Sequence, residues 1–199
     1  MLATAAQALV LFIATNIDDI IVLSLFFGRG RGEPGLTRRI LMGQYVGFIG
    51  ILGTAVVVAL GAQVILPEGV LPYFGLIPLS LGLWAAWQTW RNRDEEDDDE
   101  TQLEGKRVSV ATVALVTFAN GGDNIGVYVP VFVSLSWAAV IAFCVVFLLL
   151  VATLVFAARW ITSRKPIAEA LERWESILFP LVLIALGVII LVTGGAFGL

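Results

Sequence analysis

The chain has no histidine and a single cysteine, Cys144. Without histidine it lacks the side chain used most often as a metal ligand and as an acid–base near neutral pH. One cysteine excludes an internal disulfide, a CxxC redox pair and a thiolate cage. Charge is scarce too. Only 14% of the 199 residues are charged, against about 25% in an ordinary soluble domain. No basic patch with interleaved aromatics is present, which excludes nucleic-acid binding. No Walker-type phosphate loop is present, so the chain holds no nucleotide-driven motor of its own. The sequence is not that of an enzyme, and no cofactor is expected.

Apolar residues are what the chain has in abundance. They make up 59% of it, and the mean hydropathy is +0.94. A membrane span needs about 20 such residues. Six stretches qualify: Ala3–Phe27, Leu41–Leu66, Leu71–Trp90, Val108–Leu135, Trp137–Trp160 and Ile177–Leu199. The first is too long for a signal peptide, has no basic flank and carries two carboxylates, so it reads as a mature helix. All 12 basic residues fall between spans one and two, three and four, or five and six, or at the ends of those spans. By the positive-inside rule these connections are cytoplasmic and both termini face outward. Trp90, Trp137, Trp160 and Trp174 lie at span ends, as an aromatic belt would. The expected fold is an all-α polytopic protein of the cytoplasmic membrane.

Residues 92–107 separate the spans into two groups, 1–91 and 108–199. Seven of the 16 acids form one run there, Asp94–Glu100. Such a run cannot bury apolar surface and reads as a solvated, disordered linker or as a weak cation collector. Ala168–Ser176 reads as a short amphipathic helix on the inner membrane face. The two groups resemble each other at an offset of 105 residues. Ala14-Thr-Asn-Ile-Asp18-Asp-Ile20 falls on Ala119-Asn-Gly-Gly-Asp123-Asn-Ile125, and Leu81-Gly82 on Leu186-Gly187. With three spans each, the groups would form an inverted 3+3 repeat. That arrangement is typical of secondary transporters with a site at the membrane midplane.

Asp18, Asp19 and Asp123 are the only charges well inside the spans. Each costs about 2.5–3.5 kcal/mol at a helix centre on insertion scales. No intramembrane Lys or Arg is there to pair with them, which leaves protons or a bound cation. Thr15 and Asn16 share a helix face with Asp19, and Asn120 stacks with Asp123 and Asn124. Adjacent Asp18 and Asp19 reach one site only if span one is unwound near its centre. Gly121-Gly122 and Pro130 weaken span four in the same way. Carbonyls freed at such breaks are ligands for hard cations. Asp18 and Asp123 would then meet near the midplane. Bland readings stand beside these: Thr15 and Asn16 as hydrogen bonds between helices, Gly43 and Gly47 as close packing, Cys144 as a small hydrophobe. Gln44 and Tyr45 either line a pathway or anchor at the interface.

The segments Asn16-Ile-Asp-Asp-Ile20, Gly43-Gln-Tyr-Val-Gly-Phe48, Gly75-Leu-Ile-Pro-Leu-Ser-Leu-Gly82 and Ala119-Asn-Gly-Gly-Asp-Asn-Ile-Gly-Val-Tyr128 resemble the cadmium-resistance transporter (CadD-like) family of the LysE superfamily. The resemblance runs nearly the whole length of the chain. It implies six spans, an inverted repeat and export of divalent heavy-metal cations from bacteria. It maps the ion site to Asn16, Asp18 and Asp19 and to Asn120, Asp123 and Asn124. The divalent metal is then the transported substrate and protons the expected driving partner. Asp, Asn and carbonyl oxygens suit harder ions better than cadmium, which prefers thiolate. An amino-acid exporter of the same superfamily and a passive cation channel are the alternatives. The superfamily's thiol-reductase branch is excluded, since it needs two cysteines. Small-residue faces permit a homodimer within the bilayer.

Overall fold

Breakers and caps divide the chain into eight α-helices and one 3-10 turn among the residues described, which are 2–91, 108–162 and 165–196 of a computed structural model. Helices α1 (Leu2–Thr15) and α2 (Ile17–Arg29) meet at Asn16 and are bent by 56°. Helix α3 (Leu36–Ile65) follows a turn in which Gly32 and Gly35 both adopt positive φ, the conformation only glycine takes without strain. Pro67 and Pro72 keep Glu68–Gly75 in a 3-10 turn that runs into α4 (Leu76–Arg91), since each lacks a backbone donor. Ser109 caps α5 (Val110–Asn120) by accepting from the Thr112 amide at 3.1 Å. Helix α6 (Gly122–Ser134) begins one residue after α5 ends and continues through Pro130. Helices α7 (Trp137–Ile161) and α8 (Lys165–Thr193) complete the chain.

Among the described residues, three stretches are long and apolar enough to cross a membrane singly: α3, Gly69–Trp87 and α7. The bent pair of α1 and α2 counts as a fourth. Their outward faces carry large apolar side chains such as Val46, Val64, Leu83 and Leu149. A water-soluble surface does not tolerate apolar area on that scale. The protein is an all-helical, multi-pass membrane protein. Residues 168–176 depart from expectation. They do not form a separate surface helix but continue into α8, because no glycine or proline interrupts the chain between Pro166 and Pro180. The acidic run 94–100 lies outside the described residues.

Packing follows two rules. Where helices cross closely, glycines allow it. A Cβ on Gly43 or Gly47 would press into α5, within 2.7 Å of the Ala114 carbonyl in the case of Gly47. A Cβ on Gly82 would lie 2.8 Å from the Ile184 amide of α8, and one on Gly187 would lie 2.6 Å from Leu79 of α4. Elsewhere aromatic rings fill the space. Phe12, Phe48, Tyr128, Phe132, Phe143 and Phe147 interlock where α1, α3, α6 and α7 converge, with Tyr128 and Phe147 centroids 5.0 Å apart. The pair α1–α2 lies along α7, and the pair α5–α6 lies along α3. Helices α4 and α8 pack on each other.

Candidate functional site

The two helix breaks set the site. Helix α1 ends at Thr15 and α2 begins at Ile17; α5 ends at Asn120 and α6 begins at Gly122. Asn16 and Gly121, the residues at the breaks, leave helical geometry with ψ of 19° and 18°. A Cβ on Gly121 would press on the Ile51 side chain of α3, which would have to shift to admit it. Each break points a helix N-terminus into the interior, and each such N-terminus bears acid in its first turn: Asp18 and Asp19 on α2, Asp123 on α6. A carboxylate there gains about 0.3–1 kcal/mol from the helix dipole, or more where it is partly buried.

Asn120 crosses from one break to the other. Its Nδ2 donates to Asp18 Oδ2 at 2.7 Å and to Asp19 Oδ1 at 3.1 Å. The second Asp19 oxygen accepts from Gln44 Nε2 at 3.0 Å. Thr117 then donates to Gln44 Oε1 at 2.6 Å, which fixes which way the amide points. Asp19 is 2% exposed, yet no Lys or Arg among the described residues pairs with it. The nearest basic residue along α2 is Arg29, about 15 Å away by helical rise. Two carboxylates are thus held together at the end of a helix by neutral amides alone.

A second polar cluster lies beside the first. Thr15 Oγ1 donates to the Leu11 carbonyl, which spends its only hydrogen. The Tyr128 hydroxyl, 2.9 Å from Thr15, is therefore the donor of that pair, and it accepts from Asn16 Nδ2 at 3.0 Å. Asn16 Nδ2 also reaches the Phe12 carbonyl and Thr15 Oγ1. The bonds to Tyr128 match the interhelical reading of Thr15 and Asn16. Three buried polar atoms nevertheless find no partner: Asn16 Oδ1 and both amide atoms of Asn124. Asn124 is only 1% exposed and sits one turn before Tyr128 on α6, on the same face. A buried unpaired polar atom costs about 1–3 kcal/mol, so such atoms call for a ligand or a function.

The remaining positions sort clearly. Asp123 is exposed to solvent and accepts the Asn124 amide N–H at 2.8 Å. It does not join Asp18 and Asp19 in a three-carboxylate cluster, and no group of three or more Asp, Glu, Cys or His side chains among the described residues is placed to hold a metal. Gly122 is exposed beside Asp123, with open space around it. Tyr45 points away from the site and donates to the Leu148 carbonyl of α7, tying α3 to α7. Gln44, its neighbour, is in the site. Cys144 is half-buried against the apolar core. The sequence reading missed Thr117 and Tyr128. Thr117 is one turn before Gly121 on α5, and Tyr128 one turn after Asn124 on α6, so the helical period around the motif would have pointed to both.

Among the described residues, the interior holds broken helices and paired carboxylates with no cationic partner, features that recur in carriers of charged solutes. The sequence matches the cadmium resistance transporter family over residues 12–199. The chain belongs to that family. No curated protein and no solved structure matches it.

Proposed function

We propose that the protein exports divalent metal cations across the cytoplasmic membrane in exchange for protons, with Asp18 and Asp19 as the exchanging groups. The observation that carries this reading is the Asp18–Asp19 pair, buried without a cationic partner and bridged by Asn120. One divalent ion or two protons balance the pair, so the same two groups serve the load and the return. Asn120 and Gln44 supply amide oxygens if their side chains turn, and the carbonyls released at Thr15 and Asn16 add hard donors. The orphan oxygens of Asn16 and Asn124 fit oxygen ligation of an ion that passes between the breaks. Asp123, on the open side, is the first or last carboxylate the ion meets.

An inverted 3+3 repeat of six spans fits several features. The breaks at Asn16 and Gly121 stand 105 residues apart, the offset of the sequence repeat. Gly82 and Gly187, also 105 apart, both lie in the contact of α4 with α8. The packing of α1–α2 on α7 mirrors that of α5–α6 on α3. Amino-acid export fits less well. Both inward N-termini that might receive a substrate carboxylate already carry a carboxylate of their own.

The test is flux in proteoliposomes under an imposed pH gradient, comparing Cd²⁺, Zn²⁺, Mn²⁺ and lysine. Saturable metal flux driven by protons is expected, lost in Asp19→Asn and Asp123→Asn at unchanged expression. Full transport by both variants would overturn the site. Flux of lysine alone would overturn the substrate class.

A further inference from the structure

At the basic end of the bundle, away from the carboxylates, a cavity of about 480 Å³ opens between the end of α2, the start of α3 and the end of α7. Charge asymmetry assigns this end to the cytoplasm. Arg31 and Arg159 line the cavity with Thr37, Thr162, Glu33 and Phe27. Glu33, the only acid in its wall among the described residues, is already engaged by Arg39, whose Nη2 lies 2.6 Å from Glu33 Oε2. Arg39 is further held by the Val108 and Pro34 carbonyls. Nothing among the described residues engages Arg31 or Arg159 in an ion pair or hydrogen bond. Thr162 donates to the Ala158 carbonyl, which leaves its oxygen only as an acceptor. Thr37 keeps a hydroxyl that can donate.

Two guanidiniums facing one cavity, neither in an ion pair among the described residues, define an anion site, and Arg forks match phosphate oxygens in particular. They also repel a divalent cation, so the cavity is not the metal's way in. Its place at the span ends selects among phosphates. Phe27 on its wall belongs to the apolar core, and Trp160, next to Arg159, stands exposed at the interface level. Basic pockets between helix ends on the cytoplasmic side are where anionic lipid headgroups bind. We propose that this cavity seats the phosphodiester headgroup of an anionic phospholipid of the inner leaflet, held by Arg31 and Arg159. The site is independent of the transport reading.

Native mass spectrometry of the full chain, released from nanodiscs of mixed phosphatidylglycerol and phosphatidylcholine, tests it. Wild type should retain the anionic lipid over the zwitterionic one by about twenty-five-fold, about fivefold from each arginine. Arg31→Gln and Arg159→Gln should each lose about fivefold, and the double variant should show no preference. Arg38→Gln, outside the cavity, should leave the preference intact. Unfolding temperature in pure phosphatidylcholine should be the same in all variants, which separates lost binding from lost folding. A double variant that keeps the preference overturns the site. Millimolar inorganic phosphate that displaces the lipid and protects the protein equally well overturns the lipid assignment in favour of a soluble phosphate.

Discussion

The first helix break is furnished and the second is bare. At the first, Asp18 and Asp19 share Asn120, and Asp19 has Gln44 held in turn by Thr117. At the second, Asp123 accepts only a backbone N–H of its own helix, and the Asn124 amide has no partner. The repeat offset accounts for the difference. Shifted by 105, Gln44 falls on Leu149, and Thr117 is the shifted counterpart of Phe12. Leu149 faces outward on α7, while Phe12 sits in the aromatic cluster. The second break has no such polar pair to satisfy it. Two similar segments have thus been given different work: one holds the charge, and the other stays unsatisfied.

Substitutions should break or sharpen that contrast, and they are ordered here by expected effect. Asp19→Asn removes a charge from the furnished break and should lower cadmium flux by about a hundredfold, the scale of a hydrogen-bonded charge. Flux near wild type would mean the furnished break does not carry the ion. Asn120→Ala severs the direct side-chain link from the second break to the Asp18–Asp19 pair. Half-saturating metal concentration should rise about ten- to a hundredfold, as when a partner that orients a metal ligand is lost. Gln44→Leu should cost about tenfold in flux. Thr117→Val on top of it should add nothing, because Thr117 acts only through Gln44; additive losses would give Thr117 a contact of its own. Asn124→Leu has the smallest and most telling effect. Replacing an unsatisfied amide with an apolar side chain of similar size should raise stability by about 1–2 kcal/mol, read from thermal unfolding in detergent, while flux falls. A stability loss would show that Asn124 has a structural partner after all.

Much of this was legible in the sequence because the signals were chemical rather than positional. An aspartate pair within an apolar run announces itself by its cost. Gly121 marks its break, since a glycine pair weakens a helix wherever it falls. Asn16 announced its break less directly, through the demand that Asp18 and Asp19 face one site. Gly43 and Gly47 have the close-packing role their spacing suggests. What stayed hidden depended on rotation about helix axes. Gln44 and Tyr45 are neighbours of similar character, yet about 100° of helical turn sends one into the site and the other to α7. Asp123 matches Asp18 in motif, but it is exposed while Asp18 is partly covered. Pro130 carries the sequence mark of a break, yet α6 passes through it, with Pro130 itself buried. Residue type shows which groups must be satisfied; only packing decides which neighbour satisfies them.

The amide of Asn120 bears on the speed of a carrier as well as on its affinity. An exporter is limited less by capture than by letting go, and bare carboxylates would hold a divalent ion for a long residence time. On the proposed reading, the departing ion would be replaced as it leaves. The Nδ2 that spans Asp18 and Asp19 can swing back onto both oxygens, so release becomes an exchange of partners rather than the uncovering of two charges. A side chain that competes with the cargo for its own site shortens each turnover. The trade is a weaker grip for a faster off-rate, a bargain suited to a protein whose task is to be rid of what it binds.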